Sequence, residues 1–93
     1  LRETAVSAAL VTRGVQSFKQ GKLELAKRLF EQAIANCPGS LNAHISLGVV
    51  LGALKDFDGQ IKHERIALEL DSKNSTAMCR LAWALAQKGE LNE

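Results

Sequence analysis

Two histidines and two cysteines carry the widest chemical repertoire in this 93-residue chain: His44, His63, Cys37 and Cys79. An imidazole acts as a general base or metal ligand, and a thiolate as a nucleophile, only when a partner group stands at a productive spacing. His44 and His63 have no serine, cysteine or carboxylate spaced to build a triad, a metal site or an acid–base pair. Cys37 and Cys79 lie 42 residues apart, with no CxxC motif and no histidine at zinc-ligand spacing. They read as two unbridged thiols, which fits a reducing compartment and weakly favours the cytoplasm. Gly14, Gly21, Gly39, Gly48 and Gly52 form no phosphate loop, because each is explained by helix ends or by repeat geometry. The expectation from these residues is no enzymatic activity, no cofactor and no bound metal.

Charge narrows the partners. The net charge is +2, too small to steer the chain toward nucleic acid or an anionic surface. Lys19, Lys22, Lys27, Arg28, Lys55, Lys62 and Arg65 are interspersed with Glu and Gln and read as solvated faces. No aromatic residues interleave them, so no nucleic acid is expected. No apolar run approaches the roughly 20 residues of a membrane span, so no membrane insertion is expected. The length suits one domain near the small end of what folds alone. The chain starts at Leu1 and stops at Glu93, where a new helix should begin, so it reads as a piece of a longer protein.

These residues sit in a pattern that returns every 34 positions. Val11, Ile45 and Cys79 are so related, as are Val15, Val49 and Trp83, and Leu23, Phe57 and Leu91. Gly14 pairs with Gly48, Ala33 with Ala67, Leu47 with Leu81, and Leu51 with Leu85. A fixed period of this length marks a repeat architecture. Within it, Leu10, Val11, Gly14, Val15 and Phe18 follow helical spacing, and Gly21 supplies the positive φ just past a helix end. Leu25, Ala26, Leu29, Phe30, Ala33 and Ile34 form the apolar stripe of a second helix, stopped at Cys37-Pro38-Gly39. Ser40 is placed to cap a third helix, Asp58 a fourth, and Asn74 or Ser75 a fifth. Gly89 is expected to end the fifth helix, with Leu91 and Glu93 opening a sixth. On this pattern His44 takes an apolar inward position and is expected to be packed, while His63 reads as a surface residue.

With these residues in frame the chain resembles the tetratricopeptide repeats. Gly14, Ala26, Phe30, Ala33 and Pro38 match the family's 34-residue unit. So do Leu47-Gly48, Leu51, Phe57 and Ala67, then Leu81-Ala82, Leu85 and Gly89. The resemblance implies an all-α fold of helix-turn-helix repeats stacked in a right-handed α-solenoid. The implied division is an extension of the first helix over 1–6 and repeats over 7–40, 41–74 and 75–93, the last truncated. The middle unit departs from the pattern, with Gln60 where Ala is expected and Glu64 where an aromatic is expected. Both fall on the inward face of one helix. Either the helix rotates or the pair bonds internally with a neighbour such as Lys62 or Arg65, or the two make a polar contact with a further repeat or a partner.

The resemblance also implies a function, a non-catalytic scaffold for protein–protein interaction. Its concave groove would be lined by the first helix of each unit and receive a helix or an extended peptide. Carried onto this chain, the partner-binding groove is Val11, Val15, Phe18, Ile45, Val49, Cys79, Arg80 and Trp83. The expected partner is a protein or peptide, such as an amphipathic helix, with self-association through the same apolar ladder as a further outcome. Family members that clamp a chaperone's C-terminal carboxylate use five polar residues. The equivalent places here are Val11, Val15, Ser46, Thr76 and Arg80, and only Arg80 fits, so a chaperone carboxylate terminus is not the expected partner. The alternative to a scaffold is a structural or oligomerising segment attached to a larger enzyme or to a secretion or assembly protein.

Overall fold

A computed structural model of the chain describes residues 4–91. It contains five helices: α1 (Ala5–Lys19), α2 (Leu23–Asn36), α3 (Leu41–Ala53), α4 (Phe57–Leu70) and α5 (Ser75–Leu91). Each helix packs on the next, and α3 also touches α1 and α5, so the pairs stack into a short slab of 43 × 29 × 18 Å. Ala26, Phe30, Leu47, Val50 and Leu51 make the core, with Val11, Val15, Phe18, Ile34 and Leu54 packed against it.

The period of 34 is written into the turns. After α1, the Lys22 N–H donates to the Ser17 carbonyl at 2.9 Å and the Gly21 N–H to the Phe18 carbonyl at 2.9 Å. After α3, the Asp56 N–H donates to the Leu51 carbonyl at 2.8 Å and the Lys55 N–H to the Gly52 carbonyl at 3.0 Å. Both are the paired bonds that close a helix through one left-handed residue. That residue is Gly21, with φ 80°, in the first turn and Lys55, with φ 64°, in the second.

Helix starts follow local side-chain chemistry. Thr4 Oγ1 accepts from the Ser7 N–H and contacts Asn36 Oδ1. Ser40 accepts from the Ala43 N–H at 3.2 Å and Asn74 from the Ala77 N–H at 2.9 Å. The α4 cap is Asp56, accepting from the Gly59 N–H at 3.0 Å, and not the expected Asp58. Asp58 instead sits in the first turn and pairs with Lys88 of α5 at 2.6 Å.

Gly89 does not end α5, which stays helical through Leu91. In the first two units a following helix docks and draws the chain into a turn. Among the described residues no second helix lies on the outer face of α5, and the run of Ala, Gln and Lys holds helix by propensity. The expected sixth helix falls partly on Asn92 and Glu93, and the expected extension partly on Leu1–Glu3. These positions lie outside the described residues.

The two left-handed turns carry a stability prediction. A side chain in this region costs roughly 1–2 kcal/mol, part of which glycine's extra unfolded-state freedom offsets. Lys55→Gly is therefore expected to stabilise the fold by about 0.5–1 kcal/mol, and Gly21→Ala to destabilise it by about 1 kcal/mol, in urea denaturation.

Candidate functional site

The site is built where helices approach most closely. A Cβ on Gly14 would run into the ring of Phe30, so the missing side chain makes room for that ring. Phe30 is 1% exposed, and its counterpart 34 residues on is Glu64. Glu64 takes the same place over Gly48, where a Cβ would stand 2.7 Å from Glu64 Oε2. One turn on, a Cβ on Gly52 would stand 2.6 Å from Gln60 Oε1. The first unit has Phe18 and Ala26 at these two positions and the middle unit has Gly52 and Gln60. Bulk has moved from the first helix of the unit to the second.

Gln60 and Glu64 are both fully buried, so α4 has not rotated to expose them. Lys62 and Arg65 are exposed, and the cation that acts on Glu64 is Arg80 of α5. Both amide atoms of Gln60, both carboxyl oxygens of Glu64 and Arg80 Nε are buried with no hydrogen-bond partner among the described residues. Burial pushes the Glu64 carboxyl up to about 7, while the Gln60 amide and the Arg80 guanidinium pull the other way.

Above this floor, α1, α3 and α5 line three adjoining hollows. One of about 460 Å³ is bounded by Ser75, Thr76, Cys79, Arg80 and Trp83. The next, of about 400 Å³, shares Arg80 and Trp83 and adds Phe18, Val49, Gly52, Ala53 and Gln60. A third, of about 170 Å³, shares Phe18 and Val49 and adds Val15, Phe30, Ser46 and Val50. Shared walls make them one groove, apolar for most of its length, in which Arg80 is the one charged lining residue among those described. Trp83 is 48% exposed, with its other half packed edge-on against Phe57 at 5.6 Å between centroids.

Six of the eight groove residues read from sequence thus come together: Val15, Phe18, Val49, Cys79, Arg80 and Trp83. Val11 and Ile45 do not line the hollows; both are half-buried, Val11 against the core. Gln60 in the groove wall went unassigned, and the signal for it was Gly52 standing 34 residues after Phe18.

The histidines meet on the other side of α3. His44 is buried, and its Nε2–H donates to the Pro38 carbonyl at 2.8 Å. Its Nδ1 is left to accept from His63 Nδ1–H at 3.0 Å, and the rings stack at 5.2 Å. His63 is therefore half-buried against His44 rather than fully exposed. Burial, with His44 and Lys62 adding to it and Asp56 opposing, holds its pKa down at about 4. The pair ties α4 to the α2–α3 turn. Cys37 is buried and Cys79 is exposed, and no disulfide joins them.

No family model matches this sequence, and no curated protein matches it. Among solved structures, the second TPR of Spaghetti (RPAP3) bound to HSP90 peptide SRMEEVD superposes with a TM-score of 0.89. It is 24% identical, and the match covers 95% of this chain and 82% of that one. The fold is thus that of the tetratricopeptide repeats, an all-α stack of helix-turn-helix pairs. The same match corrects the exclusion of chaperone carboxylate termini. A domain of this backbone shape, with only 24% of the same residues, carries such a peptide. With a neighbour of the same fold holding such a peptide, the residue types at Val11, Val15, Ser46 and Thr76 no longer support the exclusion. Among the described residues no helix is long and apolar enough to cross a membrane.

The two shifted groups act on stability in opposite directions. As pH falls from about 7 toward 4.5, the folded chain protonates Glu64 while the unfolded chain does not, which stabilises the fold. As pH falls from 6.5 toward 4, the unfolded chain protonates His63 while the folded chain does not, which destabilises it. Denaturation of the parent is expected to be nearly flat between pH 6.5 and 4.5. Over that span Glu64→Gln is expected to lose about 1–3 kcal/mol on acidification and His63→Gln to gain a similar amount.

Proposed function

We propose that this chain is a non-catalytic interaction module whose groove between α1, α3 and α5 receives a peptide segment of another protein. The observation that carries the reading is the continuous apolar trough from Val15 and Phe18 through Val49 to Trp83, with Arg80 as its one charged lining residue among those described. An apolar trough with one cation suits a segment that presents apolar side chains and a carboxylate. The acidic peptide held by the matched Spaghetti domain is of that class. Trp83, fixed on one edge by Phe57, is the anchor, since a ring already held in place loses little freedom on binding. The repeat units over 7–40, 41–74 and 75–93 supply one groove helix each.

A second reading, as a structural or oligomerising segment, is favoured by the outer face of α5. Met78 and Leu85 are 46% and 44% exposed there, although their counterparts His44 and Leu51 are buried. A further helix or a second copy would cover them.

The test is calorimetric titration with SRMEEVD and with peptides selected by display against the purified domain. Binding to the groove predicts that Trp83→Ala and Val49→Asp each weaken affinity by roughly tenfold or more, the effect of an anchor lost. Ligands whose affinity is untouched by both substitutions would contradict the reading.

A further inference from the structure

The two histidines form a hydrogen-bonded chain in which every ring proton can be placed. His44 Nε2 stands 2.8 Å from the Pro38 carbonyl, which can only accept, so that nitrogen carries the proton. His44 Nδ1 then offers a lone pair, and His63 Nδ1, 3.0 Å away, donates to it. By the same count His63 Nε2 is left unprotonated. The chain joins three elements, with Pro38 in the α2–α3 turn, His44 on α3 and His63 on α4. His44 is buried within it. His63 is half-buried and walls an open hollow of about 310 Å³ with Glu31, Ile34, Ala35 and Leu47.

From this arrangement we propose that the His44–His63 pair is an acid-opened clasp, which holds α4 to the α2–α3 turn while both rings are neutral and releases it when His63 takes up a proton. The pair lies across α3 from the groove, so the inference does not rest on the peptide reading. The incoming proton goes to His63 Nε2, whose lone pair is the one in the pair not already accepting. Desolvation penalises a charged ring in this half-buried place, and the open hollow gives it a way to water. The surrounding charges are few. Glu31 of α2 lines the hollow and Asp56, just before α4, attracts the imidazolium, while Lys62 of α4 repels it. The α2–α3 turn adds the buried Cys37 thiol, and α3 carries no charged residue besides His44. Glu64 faces Gly48, Arg80 of α5 acts on Glu64, and Lys88 is held by Asp58. Swinging out toward Glu31 and solvent, the charged ring leaves His44 and breaks the bond between the two Nδ1 atoms. In the closed clasp His63 is held down at about 4, against 6.5 for a free ring, so acid favours the open form across that span.

Ring ¹⁵N NMR of the whole domain is the first arm of the test. At pH 7 His44 is expected as the Nε2–H tautomer and His63 as the Nδ1–H tautomer, with cross-relaxation between the rings. On acidification that contact is expected to fade in step with the charging of His63; rings that stay together once His63 is charged overturn the proposal. Amide exchange, corrected for its intrinsic pH dependence, reads the release. The Ala43 and His44 N–H groups, both bonded to Ser40, are expected to lose protection roughly tenfold or more between pH 7 and pH 5. The Gly21 and Lys22 N–H groups of the α1–α2 turn are expected to keep theirs. Equal loss at both turns is general unfolding and overturns the clasp. In His44→Phe, a ring with no acceptor, the His63 midpoint is expected to rise toward the ordinary 6.5, and an unmoved midpoint overturns the proposal. Should that variant fail to fold, His63→Gln serves, since its side chain cannot charge. Its Ala43 and His44 protection is expected to be insensitive to pH, and a loss as large as the parent's overturns the clasp.

Discussion

Everything in this chain depends on how closely paired helices approach. A glycine on the first helix of a unit leaves its side-chain space to the second helix, and the residue that fills that space sets the character of the interior. In the first unit Gly14 receives Phe30, a ring that joins Leu47, Val50 and Leu51 in the core. In the middle unit Gly48 receives Glu64, and the neighbouring Gly52 receives Gln60. Burying these groups without full hydrogen bonding costs free energy. The fold absorbs it because the apolar core lies mainly between the first unit and α3.

That exchange also shapes the groove. Phe18 projects from α1 as one wall, and at the equivalent place on α3 Gly52 opens the floor down to Gln60. Arg80 and Trp83 complete the far side from α5. A groove made of helix faces keeps its form without a ligand, and Phe57 fixes the orientation of Trp83. On the proposed reading, little reorganisation is then needed when a segment docks.

The architecture was legible because 34-residue spacing repeats the residues that make turns and close contacts. Gly21, Ser40 and Ala33 each do in space what their types imply. Asp56 was overlooked as a cap because Asp58 competed for the role two residues later. The partial burial of His63 is not legible beside charged Lys62 and Glu64, because it is set by His44, which no local pattern reveals. Most groove residues followed from periodicity, but Val11 and Ile45 lie outside its hollows. The direction taken by Gln60 was hidden for a different reason. Reading each repeat position by its own consensus treats positions as independent, and here two positions changed together.

A double-mutant cycle tests that coupled change directly. Gly52→Phe and Gln60→Ala together restore to the middle unit the pair found at Phe18 and Ala26. Alone, the first substitution overfills the space occupied by the Gln60 carboxamide, and the second leaves it empty. Urea denaturation is predicted to show the double variant more stable than the sum of the two losses, by about 1–3 kcal/mol. Strictly additive losses would mean that Gly52 and Gln60 do not share one space, and the account of the groove floor would be wrong.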